Sequence, residues 1–251
     1  MGDMSVPAIQ INNISFKYPG KDQPFLQDFN LTIPKGKRFG LFGPNGSGKT
    51  TLMKLMTGLC IAQHGSIQLL GNDIQKTGVS VKQLFGLVPQ DFSFYHELSP
   101  KENLQYFGAL TGLNKNEIKL QTSFLLNILG LIKEQHTPVK KFSGGMKRRV
   151  NLAIGVIHTP EVLFLDEPTV GVDVQSRTAI IQYLKELNEN GTTLIYTSHQ
   201  LVEAEELCDE IALIDDGKII AHDQLENLLS QYQHDALESL FLNLTGKKYR
   251  D

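Results

Sequence analysis

Only two of the 251 residues are cysteine, Cys60 and Cys208. They are too few and too plainly set for a disulfide framework or a metal cluster, and both read as small apolar residues in a reducing compartment. No apolar run approaches the length that spans a bilayer, and the start, MGDMSVPAIQ, lacks the basic and apolar regions of a signal peptide. A soluble chain is expected. The excess of one charge sign is also small, −3 at pH 7, which speaks against a surface built to coat nucleic acid. Repeats and low-complexity tracts are missing. The length suits one large α/β domain, or a core with an inserted lobe, and can bury a full sheet.

What stands out is residues 38–59, RFGLFGPNGSGKTTLMKLMTGL, which read as a strand, a glycine-rich loop and a helix without interruption. Phe39, Leu41 and Phe42 make a short buried strand. Leu52, Leu55, Met56 and Leu59 recur at helical spacing until Gly58 loosens the last turn. The loop meets the pattern G-x-x-x-x-G-K-S/T at Gly43, Gly48, Lys49 and Thr50. Glycines let the backbone curl until several N–H groups point at one place, and a helix N-terminus behind them favours a polyanion. Lys49 would set a compact charge on the β- and γ-phosphates, and the Thr50 hydroxyl would hold a Mg²⁺ ion.

Residues 8–18 and 28–34 alternate apolar and polar like half-buried strands, and 65–72 read as a hairpin. Short buried strands follow at 85–89, 162–166 and 193–198, with a helix over about 175–190 between the last two. This β-α-β alternation implies a mainly parallel sheet covered on both faces. Residues 91–157 carry almost no strand signal. There, Ser99-Pro100-Lys101-Glu102 forms a capping box and Asn114 with Glu117 repeats it. Leu120, Phe124, Leu125, Ile128 and Leu129 supply an apolar stripe ending at Gly130, and a third helix begins at Ser143. A last hairpin, 211–220, turns at Asp216-Gly217. Short helices are expected near 223–231, opened by Asp223 with Glu226, and 235–245, opened by Asp235 with Glu238.

The expected fold class is α/β: a P-loop NTPase with a mainly parallel central sheet, an N-terminal antiparallel β subdomain and an inserted α-helical subdomain. It forms one domain over 1–251, with a core from 1–90 and 158–222, a helical subdomain at 91–157 and short C-terminal helices at 223–251.

Further candidate residues close the strands. Asp166 and Glu167 end VLFLD-E at the carboxyl edge of the sheet, where open α/β folds bind ligands. Asp166 would hold Mg²⁺, and Glu167 would accept a proton from an attacking water. His199 ends TLIYTSH, placed to bond a γ-phosphate, and Gln90 ends FGLVPQ, where its amide can serve both a Mg²⁺-bound water and the nucleophile. Ser143-Gly144-Gly145 opens a helix as a second anion nest without a P-loop lysine. Two nests require two phosphates, or one gripped from two sides.

These residues resemble the ATP-binding subunit of ABC transporters over essentially the whole chain. Gly43, Pro44, Asn45, Gly46, Ser47, Gly48, Lys49, Thr50 and Thr51 resemble its Walker A loop, Gln90 its Q-loop glutamine, Ser143, Gly144 and Gly145 its signature core, and VLFLDEP its Walker B strand. Asp173 resembles the D-loop aspartate and His199 the switch histidine. Tyr18 resembles the aromatic that stacks on adenine; otherwise it reads as a strand-end core tyrosine. The resemblance implies ATP and Mg²⁺ as ligands. It also implies a head-to-tail pair of such subunits, a homodimer, with each ATP between one P-loop and the partner's nest. A transmembrane permease on another chain would insert a helix beside Gln90, so the subunit would be cytoplasmic and peripheral on the inner face of the cell membrane, with no nucleic acid involved. Phe92, Phe94 and Tyr95 are candidate anchors for that helix, or core.

Two departures bear on the branch. The signature reads Phe142-Ser143-Gly144-Gly145-Met146 where leucine and glutamine are commoner at its ends, and the D-loop reads Val170-Gly171-Val172-Asp173. With Lys147-Arg148-Arg149 and the closing LFLNLTGKKYR, both resemble the drug, polysaccharide and lipid exporter branch. The basic triplet also reads as a solvated helix face. An importer subunit, or a soluble ABC ATPase acting on ribosomes or DNA, are the alternatives.

Overall fold

The computed structural model describes residues 6–76, 79–231 and 236–246. In chain order the first elements are β1 (Ile9–Phe16), β2 (Leu26–Ile33), β3 (Arg38–Phe42), α1 (Lys49–Met56), β4 (His64–Leu69), β5 (Asn72–Asp73), α2 (Val79–Lys82) and β6 (Phe85–Val88). Then come α3 (Pro100–Leu110), α4 (Lys115–Ile128), α5 (Gly144–Val156), β7 (Val162–Asp166) and α6 (Val174–Glu189). The last are β8 (Thr193–Ser198), α7 (Leu201–Leu207), β9 (Glu210–Asp215), β10 (Lys218–Gln224), α8 (Leu225–Gln231) and α9 (Leu237–Thr245). The chain divides into two compact units, residues 1–81 with 193–251, and residues 82–192.

In the first unit, β1 pairs antiparallel with β2 and β4, and β5 extends this sheet beyond β4. The expected N-terminal antiparallel sheet is therefore present. β1 and β2 are bulged, with Asn13 and Asp28 at positive φ. Asn30 closes the irregularity, exchanging two 2.9 Å hydrogen bonds with Asn13. In the same unit β3 runs parallel between β8 and β9, and β10 returns antiparallel to β9. Every residue of β8 is buried, as a parallel strand covered on both faces requires. The β9–β10 turn has positive φ at both Asp216 and Gly217, the backbone that makes Asp-Gly a two-residue hairpin turn.

In the second unit β6 and β7 are parallel, and α5 lies close against β6. A Cβ on Gly86 would come within 2.0 Å of the Gly155 carbonyl oxygen, and one on Gly155 within 2.5 Å of Val88. These two glycines bring helix and strand closer than side chains would allow. Residues 91–157 form helices and turns without a strand. Both expected capping boxes are formed, Ser99 with Glu102 on α3 and Asn114 with Glu117 on α4.

Three local expectations change. The buried stripe of α4 is Ile118, Thr122, Leu125 and Leu126, continuing to Leu129, while Leu120 and Phe124 are exposed. Those two border a cavity of about 550 Å³ with Tyr183 and Leu187. Leu59 lies beyond the end of α1 and is exposed. Asp223 does not cap α8, because pairing with β9 keeps it in β10; its carboxylate accepts from Gln224 N and Asn227 Nδ2. The expected cap at Asp235 lies outside the described residues, as do residues 1–5 and 247–251, which include the last four of the closing segment.

Candidate functional site

The loop after β3 has φ of +84° at Gly46 and +120° at Gly48, values that l-side chains rarely adopt. It is packed from behind. A Cβ on Gly43 would come within 2.1 Å of the Ile214 carbonyl oxygen, and Gly217 N donates to the Ser47 carbonyl at 2.9 Å. The β9–β10 turn thus braces the loop, a role that composition at 216–217 does not reveal.

Gly48 gives α1 no side-chain cap, and no acid stands in the first turn. No side chain of the helix competes there with an outside anion, and no acid opposes the dipole. Ser47 Oγ is buried with no hydrogen-bond partner, a polar atom whose cost is removed by an acceptor entering the loop. Lys49 Nζ folds over the loop, donating to Gly43 O at 2.8 Å and Pro44 O at 3.2 Å. Thr50 is exposed at the helix start and Thr51 buried. These features fit a phosphate chain.

Tyr18 stands in the same unit. Its hydroxyl shares a 2.6 Å hydrogen bond with Thr51 Oγ1, and its ring packs on Phe16 at 4.9 Å and Phe25 at 5.8 Å between centroids. At 38% exposure it is not a core tyrosine. It borders a cavity of about 400 Å³ formed with Lys21, Asp22, Gln23, Pro24 and Phe25. His199 follows the last residue of β8, half-buried, and borders a cavity of about 300 Å³ with Leu201, Glu205 and Glu238.

In the second unit the acids end β7, and both are 6% exposed. Glu167 has φ of +50°, uncommon for a residue with a side chain and a form of strain that clusters at active sites. Gln90 Nε2 donates to Glu167 Oε2 at 3.0 Å. Within this unit the amide oxygen of Gln90 and the Asp166 carboxylate are hard oxygen donors, the kind that suits Mg²⁺.

Ser143 caps α5, accepting from Met146 N at 3.3 Å. A Cβ on Gly145 would come within 2.4 Å of Ser176 Oγ and 2.8 Å of Asp173 Oδ2, so the starts of α5 and α6 meet at that glycine. Asp173 is the N-cap of α6. The backbone N–H and hydroxyl of Ser176, both at 2.8 Å, hold its carboxyl below the usual range.

Within the second unit, then, Gln90 meets Glu167 and the Ser143–Gly145 segment meets Asp173. Within the first, Tyr18 meets Thr51. Of the candidate anchors, Phe94 is core, Tyr95 is exposed, and Phe92 carries a guanidinium.

That guanidinium corrects the reading of Lys147-Arg148-Arg149 as a solvated face. Arg148 is 7% exposed. Its Nη1 donates to the Gln90 carbonyl, and its Cζ lies 4.8 Å from the Phe92 ring centroid. Burial pulls its pKa below the ordinary value, opposed by the carboxylates of Asp91, Glu167 and Asp166. One turn on, Asn151 donates to Pro89 O at 3.0 Å and accepts from Ser93 N at 3.2 Å. Gly145, Arg148, Leu152 and Val156 recur at helical spacing, all buried. That periodicity was the available signal, and the triplet's charge obscured it.

A family model described as ABC transporter matches residues 26–170. The chain is 40% identical over 232 residues to the linearmycin resistance ATP-binding protein LnrL of Bacillus subtilis, covering 92% of this chain and 74% of the relative. It is 35% identical to the Nod factor export ATP-binding protein I of Ralstonia nicotianae, covering 90% and 70%. A solved structure of an ATP-binding subunit of an ABC transporter superposes with a TM-score of 0.87 at 25% identity, covering 95% of this chain and 99% of that one. A dimeric ATP-binding cassette bound to ADP and Pi shares the fold, with a TM-score of 0.79 at 23% identity. With more than half its length inside the family model, and relatives of 35–40% identity matched over 70–74% of their own length, this chain belongs to the ABC transporter family, as an ATP-binding and ATP-hydrolysing subunit.

Proposed function

We propose that the chain dimerises head to tail on binding MgATP, as a homodimer, and powers export through a permease on a separate chain. It would sit in the cytoplasm, peripheral on the inner face of the cell membrane. Relatives named for linearmycin resistance, Nod factor export and daunorubicin resistance support export over import. Among the described residues no helix is long and apolar enough to cross a membrane, which agrees with a separate permease. In this reading residues 91–157 act as the helical signature subdomain on a core from 1–90 and 158–222, followed by the short C-terminal helices of 223–251.

The observation that carries the mechanism is Glu167, buried, at positive φ, with Gln90 on its carboxylate. A carboxylate held this way is oriented to take a proton from water as that water attacks the γ-phosphate in line. Residues 43–51 hold the triphosphate through backbone donors, with Lys49 on its β- and γ-oxygens. Tyr18 stacks on the adenine, and His199 bonds the γ-phosphate. Thr50, Gln90 and Asp166 would hold Mg²⁺, which supplies charge neutralisation at the phosphates. The partner's Ser143-Gly144-Gly145 segment completes the grip on the nucleotide, with Asp173 beside it.

Glu167→Gln should keep ATP binding and lose roughly 10²–10⁴-fold in hydrolysis, the range for a positioned base. Hydrolysis at the wild-type rate would remove Glu167 from that role. Light scattering on a sizing column should show this variant passing from monomer to dimer only with MgATP. A variant that binds MgATP and stays monomeric would overturn ATP-driven dimerisation of the isolated subunit.

A further inference from the structure

Two side chains of α5 grip the segment that leaves β6. Arg148 holds the Gln90 carbonyl and lies on the Phe92 ring, while Asn151 holds Pro89 O and Ser93 N. The Gln90 backbone is therefore fixed from the helix, and its side chain turns the other way, onto Glu167 Oε2. A guanidinium suits this place. It is flat enough to lie on an aromatic face, and its fork can still donate in its own plane. Arg148 Nε has no partner. A buried arginine with an unsatisfied donor is a costly way to fill space, and an apolar side chain of similar length would fill it without that cost.

We propose that Arg148 is a positioning residue for ATP hydrolysis, setting the Gln90 carboxamide on Glu167 and so tying the signature helix to the catalytic base within one chain. The proposal rests on the reading of Glu167 as the base. It gives two neighbouring turns of α5 different tasks. Its N-terminus, capped by Ser143, is the part read as meeting a nucleotide phosphate, and Arg148 sits about one turn further along the same rigid helix. A shift of the helix on closure would move the Gln90 backbone through Arg148 and Asn151. The base would then be held in place only when the helix is seated.

The test is a double-mutant cycle on the full chain with Arg148→Gln and Gln90→Ala, reading kcat and KM for ATP. Arg148→Gln should lower kcat by about 10–100-fold, the range for groups that orient a site residue from outside, with KM for ATP little changed. On the Gln90→Ala background, which keeps the backbone carbonyl but removes the carboxamide, the same substitution should cost nothing further. Wild-type kcat in Arg148→Gln, or the same loss on both backgrounds, would overturn the proposal and leave Arg148 as a packing residue. Should Arg148→Gln not fold, Arg148→Lys carries the same cycle, because an ammonium cannot both lie flat on Phe92 and reach the Gln90 carbonyl. A loss present with Gln90 and absent without it supports the proposal. Equal losses, or none, overturn it. Glu167→Gln is assayed alongside: if it hydrolyses at the wild-type rate the base reading fails, whatever the cycle gives.

Discussion

Helices α1 and α3 begin in opposite ways. α3 closes its own N-terminus. Ser99 accepts from Glu102 N, and Glu102 Oε2 accepts from Ser99 N at 2.9 Å and Ser99 Oγ at 2.6 Å. α1 starts at Gly48 with no side-chain cap and no acid in its first turn. A capping box stabilises its helix by about 1 kcal/mol and satisfies two of the donors at its start. The end without a side-chain cap gives up that stability and leaves its dipole unopposed by an acid, the condition that favours an anionic ligand. α5 lies between the two, capped by Ser143 but with no acid in its first turn. The difference separates a helix end that closes on itself from one that its own side chains leave open.

The largest expected effect comes from abolishing the contrast. Thr50→Glu gives α1 the acid that α3 has, and also removes a candidate metal ligand. Nucleotide affinity should fall by several kcal/mol, the cost of placing like charges together, while the melting temperature holds or rises from the helix dipole. Calorimetric titration and a thermal melt read the two signs; unchanged ATP affinity would mean that α1 does not face the phosphates. Next, Tyr18→Ala should weaken ATP binding by about 1–3 kcal/mol if base stacking applies. Tyr18→Phe, which loses only the hydrogen bond to Thr51, should keep most of the affinity.

At the closed end the signs reverse. Ser99→Ala should cost about 1 kcal/mol of stability in denaturant unfolding and leave KM for ATP unchanged. The smallest effect is one of pH. The Ser99 hydroxyl, then its backbone N–H, hold the Glu102 carboxyl below its ordinary 4.5. A depressed folded pKa means that the contribution is present above the unfolded value and is lost as pH falls through the folded one. The melting-temperature gap between wild type and Glu102→Gln should therefore be full above about 4.5 and close at lower pH. A gap constant down to strong acid would show that the Glu102 charge adds nothing to the capping box.

Much of this was legible in residue order. The caps of α3 and α4, the Asp-Gly turn and the loop from Gly43 to Thr50 each depend on residues a few positions apart, and their chemistry is local. The α4 stripe was misread because Leu120 and Phe124 are apolar at near-helical spacing yet lie off the arc set by Ile118, Thr122 and Leu125. Periodicity marks a face, and packing decides which of two overlapping arcs is buried. Asp223 was misread because a cap and a strand end compete for one residue, and the β9 ladder takes it.

By itself, then, the sequence determined that the chain binds a phosphate chain and where the loop, the acids and the helix caps fall, because glycines, caps and turns act through neighbours along the chain. The tertiary structure alone decided that Gln90 meets Glu167 across 77 positions and that Arg148 leaves solvent to hold the Gln90 carbonyl 58 positions away. The first follows from the parallel pairing of β6 with β7, and the second from how closely α5 lies on β6, which Gly86 and Gly155 permit. A guanidinium's place, in water or against a carbonyl and a ring, follows from which helix face is covered.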